Sequence, residues 1–486
     1  MNWWKLRSNV HSSWLISLLS CGILIGVIVS QYVLQSIFSS FSYLLLALLI
    51  ITISFVIRSN YIVPLIIIGG IILGLWRGSV DQTQLAIYQN LYGQNIKITA
   101  KVSEDIDRGK NEESIIRLTD INIMDRSLKG KIWVSSSTKA DIKRGDLVNI
   151  EGKISPGFGS FSASIYQARL LNLKRPEPGD PARQVRDWFA ESIRGSITEP
   201  EASLGIGYLL GQRRSLPLEL ENSLIAVGLM HIVVASGYNL TILVRMSRRI
   251  FMRVSRYTAT LAASTMIIGF IAITGSSPSM FRAGIIAGLS LAAWYYGRKF
   301  HPLVLLPFVA SITVIVEPSY MWGDLGWQLS FASFAGVMIL APLLQAYFFS
   351  SKNKPGTIRQ ILGETISAQI ATLPIIILAF GQFSNVSIIA NLLVLPFVPL
   401  AMLLSFIAGI TTLIAPGLAL IIGLPAFWVL HYMTTIATFL SSLSWAQSTM
   451  IINFWWVVVY YLMLIIFCLY ISYKTKFDLR QTNIVE

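Results

Sequence analysis

The chain has 486 residues, 54% of them apolar and 13% charged, against roughly 25% charged residues in a soluble globular domain. Most readings as a soluble enzyme are excluded by that balance. The net charge of +14 fits either Lys and Arg holding the cytoplasmic ends of membrane helices or a polyanionic partner. Cys21 and Cys468 each lie in an apolar run, so neither a disulfide framework nor a CxxC site is expected. The four histidines, His11, His231, His301 and His431, are far apart. No HExxH or paired-Cys pattern accompanies them, so no metal or cofactor site is expected. His11, His301 and His431 read as peripheral or isolated.

Apolar runs of spanning length recur from Trp14 to Tyr470, and a helix needs roughly 20 residues to cross the hydrocarbon. A basic start precedes the run Trp14–Ser30, which reads as a first membrane helix rather than a cleaved signal. Phe41–Ile57 and Tyr61–Trp76 follow and complete an N-terminal three-helix segment, residues 1–79. Lys5, Arg7 and Arg58 place the N-terminus in the cytoplasm. Gly69, Gly70 and Gly74 predict close helix packing.

Residues 80–179 break the apolar pattern. NIKITAKVSEDI, SIIRLTDINIM, GKIWVSSS, GDLVNIEGKISP and SIYQARLLNL alternate apolar and polar residues between turn-forming ones. Roughly five strands of this kind predict a small OB-like barrel, placed outside the cytoplasm by the preceding charges. Such barrels often bind single strands on aromatic platforms. Here the aromatics are few (Trp133, Phe158, Phe161 and Tyr166), and a purely structural domain is the somewhat better reading. Beyond the linker KRPEPGDP, residues 180–198 predict an amphipathic interfacial helix. Val185, Trp188, Phe189 and Ile193 share one face, with charges on the other.

Residues 199–473 form a second membrane block, and 474–486 a short cytoplasmic tail. The block opens on short Gly- and Pro-broken segments between Glu199 and Met246. Its later apolar segments bring the total to about eleven to thirteen membrane helices. The basic stretch 245–256, Arg298 with Lys299, Lys352 with Lys354, and Lys474 with Lys476 all fall on one side if each intervening segment crosses once. The fold class expected is a polytopic α-helical membrane protein with one inserted extracytoplasmic β-barrel.

Polar residues interrupt the second block at four places. In GLMHIVVASGYNL, His231, Ser236, Gly237 and Asn239 sit in a run otherwise fit for lipid. Either a satisfied buried histidine or a broken helix lining a path explains them. Arg282, in TGSSPSMFRAG, is an interfacial anchor or a phosphate contact. MWGDLGWQLSFASFAG holds Asp324, Gln328 and Ser330, of which Asp324 also suits a helix cap. The fourth patch holds Glu364, Gln369 and Asn391, with Pro374, Pro396 and Pro399 expected to kink or break helices. Together these suggest a polar path through a helical bundle.

The same patches carry a resemblance. GLMHIVVASGYNL resembles the Gly-Leu-x-His-Leu-x-Ala-Ile-Ser-Gly-x-His segment of the ComEC competence family, whose members act in bacterial DNA uptake. YLLGQRRSLPLEL, SMFRAG, WGDLGWQLSFASFAG and ATLPIIILAFGQFSNVSIIANLLVLPFVP resemble further segments of that family in order and spacing. The resemblance covers nearly the whole chain. It implies a cell (inner) membrane channel taking single-stranded DNA into the cytoplasm during natural transformation. Asn239 stands where the family motif has its second histidine. Many members continue into a metallo-β-lactamase-like domain, whereas this sequence ends at Glu486. The resemblance therefore implies a channel that is not itself an enzyme. Its expected partners are a separate nuclease, a DNA receptor, a cytoplasmic ATPase or helicase, and the lipid bilayer, since no GxxxxGK[ST] loop is present. A small-solute or ion transporter, or a membrane-embedded envelope enzyme using His231, Asp324 and Glu364, are the other readings.

Overall fold

The computed structural model describes residues 11–477, except 34, 57–61, 110–112, 124–125, 139, 235, 276, 299–300 and 350–355. Lys5, Arg7, Arg58, Lys299, Lys352 and Lys354, which carry much of the charge argument for topology, lie outside the described residues. The chain divides into two compact units, Met1–Pro181 with Leu303–Trp327, and Ala182–Pro302 with Gln328–Glu486.

In the first unit, helices Ser12–Ser30 and Ile62–Gln89 pack backbone to backbone. A Cβ on Gly70 would strike the Leu19 carbonyl, and one on Gly74 the Ile23 carbonyl. Small residues thus let these helices approach where larger ones would hold them apart. Gly69 instead faces Ile51 of the helix Phe41–Val56. The third helix does not stop near residue 80 but runs on to Gln89. No Gly or Pro interrupts VDQTQLAIYQ, and its last turns have an apolar target. Tyr88 is fully buried with Leu85 packed beside it, and its hydroxyl donates to the Lys129 carbonyl at 3.0 Å. The helix end therefore plugs the domain that follows.

That domain is a closed barrel. Asn95–Val102 pairs with both Ser114–Ile123 and Leu147–Pro156. Ile132–Ser136 pairs antiparallel with the second of these strands and parallel with Ala163–Ile165, which returns to Leu147–Pro156. In order of appearance the five strands run 1-2-3-5-4 around the ring and back to 1, an OB-type closure. Strict alternation buries Ile96, Ile98, Ala100 and Val102 on one strand. Each large aliphatic side chain buried this way contributes about 1.5–3 kcal/mol. A further strand, Arg169–Lys174, pairs with Leu147–Pro156, and Arg175 just beyond it bonds the buried Asp146 at 2.9 Å.

In the second unit, Pro181–Arg194 forms the helix expected there. Val185 and Trp188 are exposed, while Arg183 and Arg186 are buried. Arg186 holds the Asp187 carboxylate through Nε and Nη2, and Gln212 donates to the same oxygen at 2.8 Å. Phe189 packs on Phe406, with ring centroids 5.7 Å apart. Arg186 can turn inward because the Asp187 carboxylate meets it.

Eight helices among the described residues are long and apolar enough to cross a membrane, and Phe41–Ser54 and Pro302–Val316 are shorter apolar ones. With the barrel, they make the chain a polytopic helical membrane protein carrying a small OB-type domain. Pro374, an expected breaker, leaves Thr357–Phe380 continuous. A proline has no N–H for the carbonyl four residues earlier. Here that carbonyl, on Ile370, takes the Tyr460 hydroxyl at 2.9 Å. Pro307 in Pro302–Val316 is served alike, by Ser17 donating to Leu303 O at 2.9 Å. Tyr460→Phe is expected to cost about 1 kcal/mol, read as a fall in unfolding midpoint in detergent, with Pro374→Ala restoring it.

Candidate functional site

The polar interruptions lie where short helices meet in the second unit. Glu201–Leu210 has all ten residues buried and ends on Gly211 at φ 69°. Leu218–Ala226 ends near Gly228, at φ 74°, where a Cβ would press on Ser387. One turn, Met230–Val233, follows, and Gly237–Phe251 starts afresh. Thus the segment is a broken helix, as its Ser-Gly pair suggests.

Asn239 holds the break together. It is fully buried, and its Nδ2 donates to Ile232 O at 2.9 Å and Tyr208 O at 3.2 Å. Both carbonyls belong to helix ends, which lack donors of their own. Asn239 Oδ1 has no partner among the described residues. Reversing the amide would aim that oxygen at two carbonyl oxygens, so hydrogen bonding fixes its orientation. Ser236 caps the new helix, its Oγ accepting the Asn239 N–H at 3.3 Å. His231 is exposed, with Nδ1 on the Gly228 carbonyl at 2.9 Å.

Arg282 is 9% exposed and donates to the Ser330 carbonyl. Its guanidinium lies 5.7 Å and 5.9 Å from the ring centroids of Phe331 and Phe334. Gln328 is half-buried one turn before Phe331. Past Ala335 the helix loosens to π geometry over Gly336–Leu340, where a Cβ on Gly336 would strike the Ser367 carbonyl. Gln369 Oε1 accepts from Ser387 Oγ at 2.7 Å, and Asn391 Nδ2 donates to Ser387 O at 2.8 Å. Glu364 accepts from Gln360 one turn earlier on its own helix. Pro396 stands in a 3-10 turn, Leu395–Phe397, that separates Ser387–Val394 from Val398–Ile414. Pro399 occupies the first turn of the latter.

Several of these candidates gather locally, and the Gly228 turn of the broken segment abuts Ser387. Ser236, Gly237, Asn239, Arg282 and Ser330 belong to the broken-helix region, and Gln369 and Asn391 meet through Ser387. Asp324 belongs to the first unit and caps its helix, accepting the Trp327 N–H at 2.6 Å. Asn239 and Asn391 are buried and hydrogen-bonded.

One pair escaped the sequence. His431 is not isolated: its Nδ1 lies 2.8 Å from Oε1 of Glu201, a carboxylate 5% exposed in the first turn of its helix. The imidazole stacks on Phe427 at 5.4 Å, and Thr434 Oγ1 stands 3.5 Å from the same oxygen. The available signal was a lone acid and a lone histidine in apolar runs. Among the described residues no three His, Cys, Asp or Glu side chains converge on a metal-sized site.

On the barrel, the sparse aromatics collect into one cluster. Trp133 stands 5.5 Å from Phe158 and 5.3 Å from Tyr166, and Phe158 is 5.5 Å from Phe161. Phe158 and Tyr166 are exposed.

A multi-pass membrane protein with an OB-type barrel and a block of broken helices is the class these features define. The family model described as "Competence protein" matches residues 208–474. That is more than half of the chain and includes every candidate lining residue, and the chain belongs to this family. It is 25% identical over 226 residues to ComE operon protein 3 of Bacillus subtilis (strain 168), covering 46% of this chain and 28% of that protein. An uncharacterized protein of Aquifex aeolicus (strain VF5) is 22% identical over 179 residues, 36% of this chain and 42% of its own length. The chain thus spans less than half the length of either relative. No solved structure matches it.

Proposed function

We propose that this chain is a cell-membrane channel that passes single-stranded DNA into the cytoplasm during natural transformation, through the helical block of residues 199–473. The observation that carries the reading is the broken helix at Met230–Val233 and Gly237–Phe251, stitched by Asn239 within the family-matched region. Broken helices with polar ends turned inward are how membrane proteins build paths for polar cargo. A nuclease that removes the second strand, a DNA receptor and a cytoplasmic ATPase or helicase act as separate partners. The barrel's aromatic cluster suits base stacking. The test is labelled donor DNA given to a deletion strain with and without the gene restored. Cytoplasmic label should appear only in the restored strain, and equal label in both defeats the proposal.

In this reading the N-terminus is cytoplasmic and the barrel faces outward. Protease added to intact spheroplasts should then cut within residues 95–174. Cutting only after the membrane is opened would invert the topology.

A further inference from the structure

We propose that the N-terminus of the helix Gly237–Phe251 and the Arg282 guanidinium together bind a phosphodiester group, which the channel reading, on which this rests, makes a backbone phosphate of the passing strand. Two positive features converge there. The first N–H groups of a helix have no acceptor within it, and the aligned peptide dipoles place about half a positive charge at that end. The Ser236 hydroxyl takes the Asn239 N–H and its carbonyl the Leu240 N–H, which among the described residues leaves the N–H groups of Gly237 and Tyr238 for an outside acceptor. Arg282 is aimed at the same turn. A Cβ built on Gly237 would sit 3.6 Å from its Nη2 and 3.3 Å from Ala283 Cβ.

Among the described residues no carboxylate neutralises this pair of charges. Among the described residues the one hydrogen bond of Arg282 goes to the Ser330 carbonyl, its Nε has no partner, and no carboxylate reaches it. A guanidinium 9% exposed between two phenylalanine rings has given up most of its hydration. Left so, it is costly. Facing a helix N-terminus, it is repelled as well. A monoanionic diester answers both, accepting from the guanidinium fork and from the amides. The turn can be reached, since Ser236 and Gly237 are half-buried and Tyr238 is 40% exposed. Glycine at 237 keeps the side chain out of the cradle. Glu364 and Arg245 act electrostatically on Tyr238, whose hydroxyl donates away from the turn to the Leu395 carbonyl.

The test uses the full chain in nanodiscs, with a short labelled single strand in one arm and phosphatidylglycerol occupancy by native mass spectrometry in the other. Arg282→Gln should weaken the strand about tenfold or more and lower the salt slope by about 0.7. Arg282→Lys should restore part of the loss, and Gly237→Ala, which narrows the cradle, should also weaken binding. A strand with neutral methylphosphonate linkages should bind the wild type weakly and ignore Arg282→Gln. If only lipid occupancy falls in Arg282→Gln, the diester is a headgroup and the strand assignment is overturned. If neither arm changes while Arg282→Gln or Arg282→Lys keeps the wild-type unfolding midpoint, the site is overturned, and the uptake assay still decides the channel on its own. If instead the wild type takes up no DNA, the channel reading fails and the lipid arm still decides the diester site.

Discussion

Replacing His431 with leucine is expected to destabilise the second unit by about 1–3 kcal/mol, because it takes the hydrogen-bond partner from the buried Glu201 carboxylate, although the imidazole itself is half-exposed. Glu201 is 5% exposed, and the imidazole nitrogen 2.8 Å away is its main partner. Thr434 at 3.5 Å is too distant to take over. The first turn of the helix Glu201–Leu210 suits an acid, but every residue of that helix is buried, and Ala202, Leu204 and Ile206 belong to the hydrophobic core. Glu201→Gln keeps an acceptor for the imidazole N–H without the charge, so its expected cost is below about 1 kcal/mol. In that background His431→Leu should be far milder than alone. Denaturant unfolding in detergent, followed by pulse proteolysis, measures all three. Additive losses in the double variant would show that His431 acts by packing on Phe427 and not through the carboxylate.

This pair also marks what the sequence conceals. The barrel was legible because a period of two needs only neighbouring residues, and Ile96, Ile98, Ala100 and Val102 announce their buried face locally. The break at Ser236–Gly237 was legible because polar residues stand out in an apolar run. Glu201 and His431 lie 230 positions apart, and nothing local to either names the other. The charges expected opposite the apolar face of Pro181–Arg194 include Arg186, whose burial depends partly on Asp187 and Gln212, which are themselves placed by folding. The meeting of Arg282 with the turn at Gly237 was equally hidden, although both residues stood out singly. Pro374, expected to kink or break its helix, leaves it unbroken, and that depends on another helix bringing a donor to Ile370.

A shared demand explains several of these long-range bonds. In hydrocarbon a carbonyl without a donor finds no water to replace it. Where prolines or helix ends free carbonyls, side chains from elsewhere arrive. Tyr460 serves Ile370, Ser17 serves Leu303, and Arg77 donates to Ile315 O at 2.6 Å and Val316 O at 2.8 Å, closing the end of Pro302–Val316. Donors matched to freed carbonyls do for irregular membrane backbone what regular helices do for the rest.

Asn239 is the strongest case, and Asn239→Leu is expected to cost about 2–4 kcal/mol and abolish uptake. Both amide hydrogens are used, one on Ile232 O and one on Tyr208 O. Each buried carbonyl left without a donor costs about 1–3 kcal/mol. The loss has a geometric consequence too. Tyr208 belongs to Glu201–Leu210, and Ile232 to the short turn before the break, so the one amide ties three helical pieces. Without it, the start of Gly237–Phe251 is held, among the described residues, by its own cap, by the Tyr238 hydroxyl on the Leu395 carbonyl and by packing. The family motif places histidine here, and a neutral imidazole donates one hydrogen where the amide donates two. Asn239→His should therefore keep about half of the stabilisation, while Asn239→Asp, which points an oxygen at two carbonyls, should be worse than leucine. Unfolding midpoints in detergent and cytoplasmic label from donor DNA should rank the four proteins alike, in the order Asn, His, Leu, Asp. Full uptake by a folded Asn239→Leu protein would mean that the stitched break is not needed for the path.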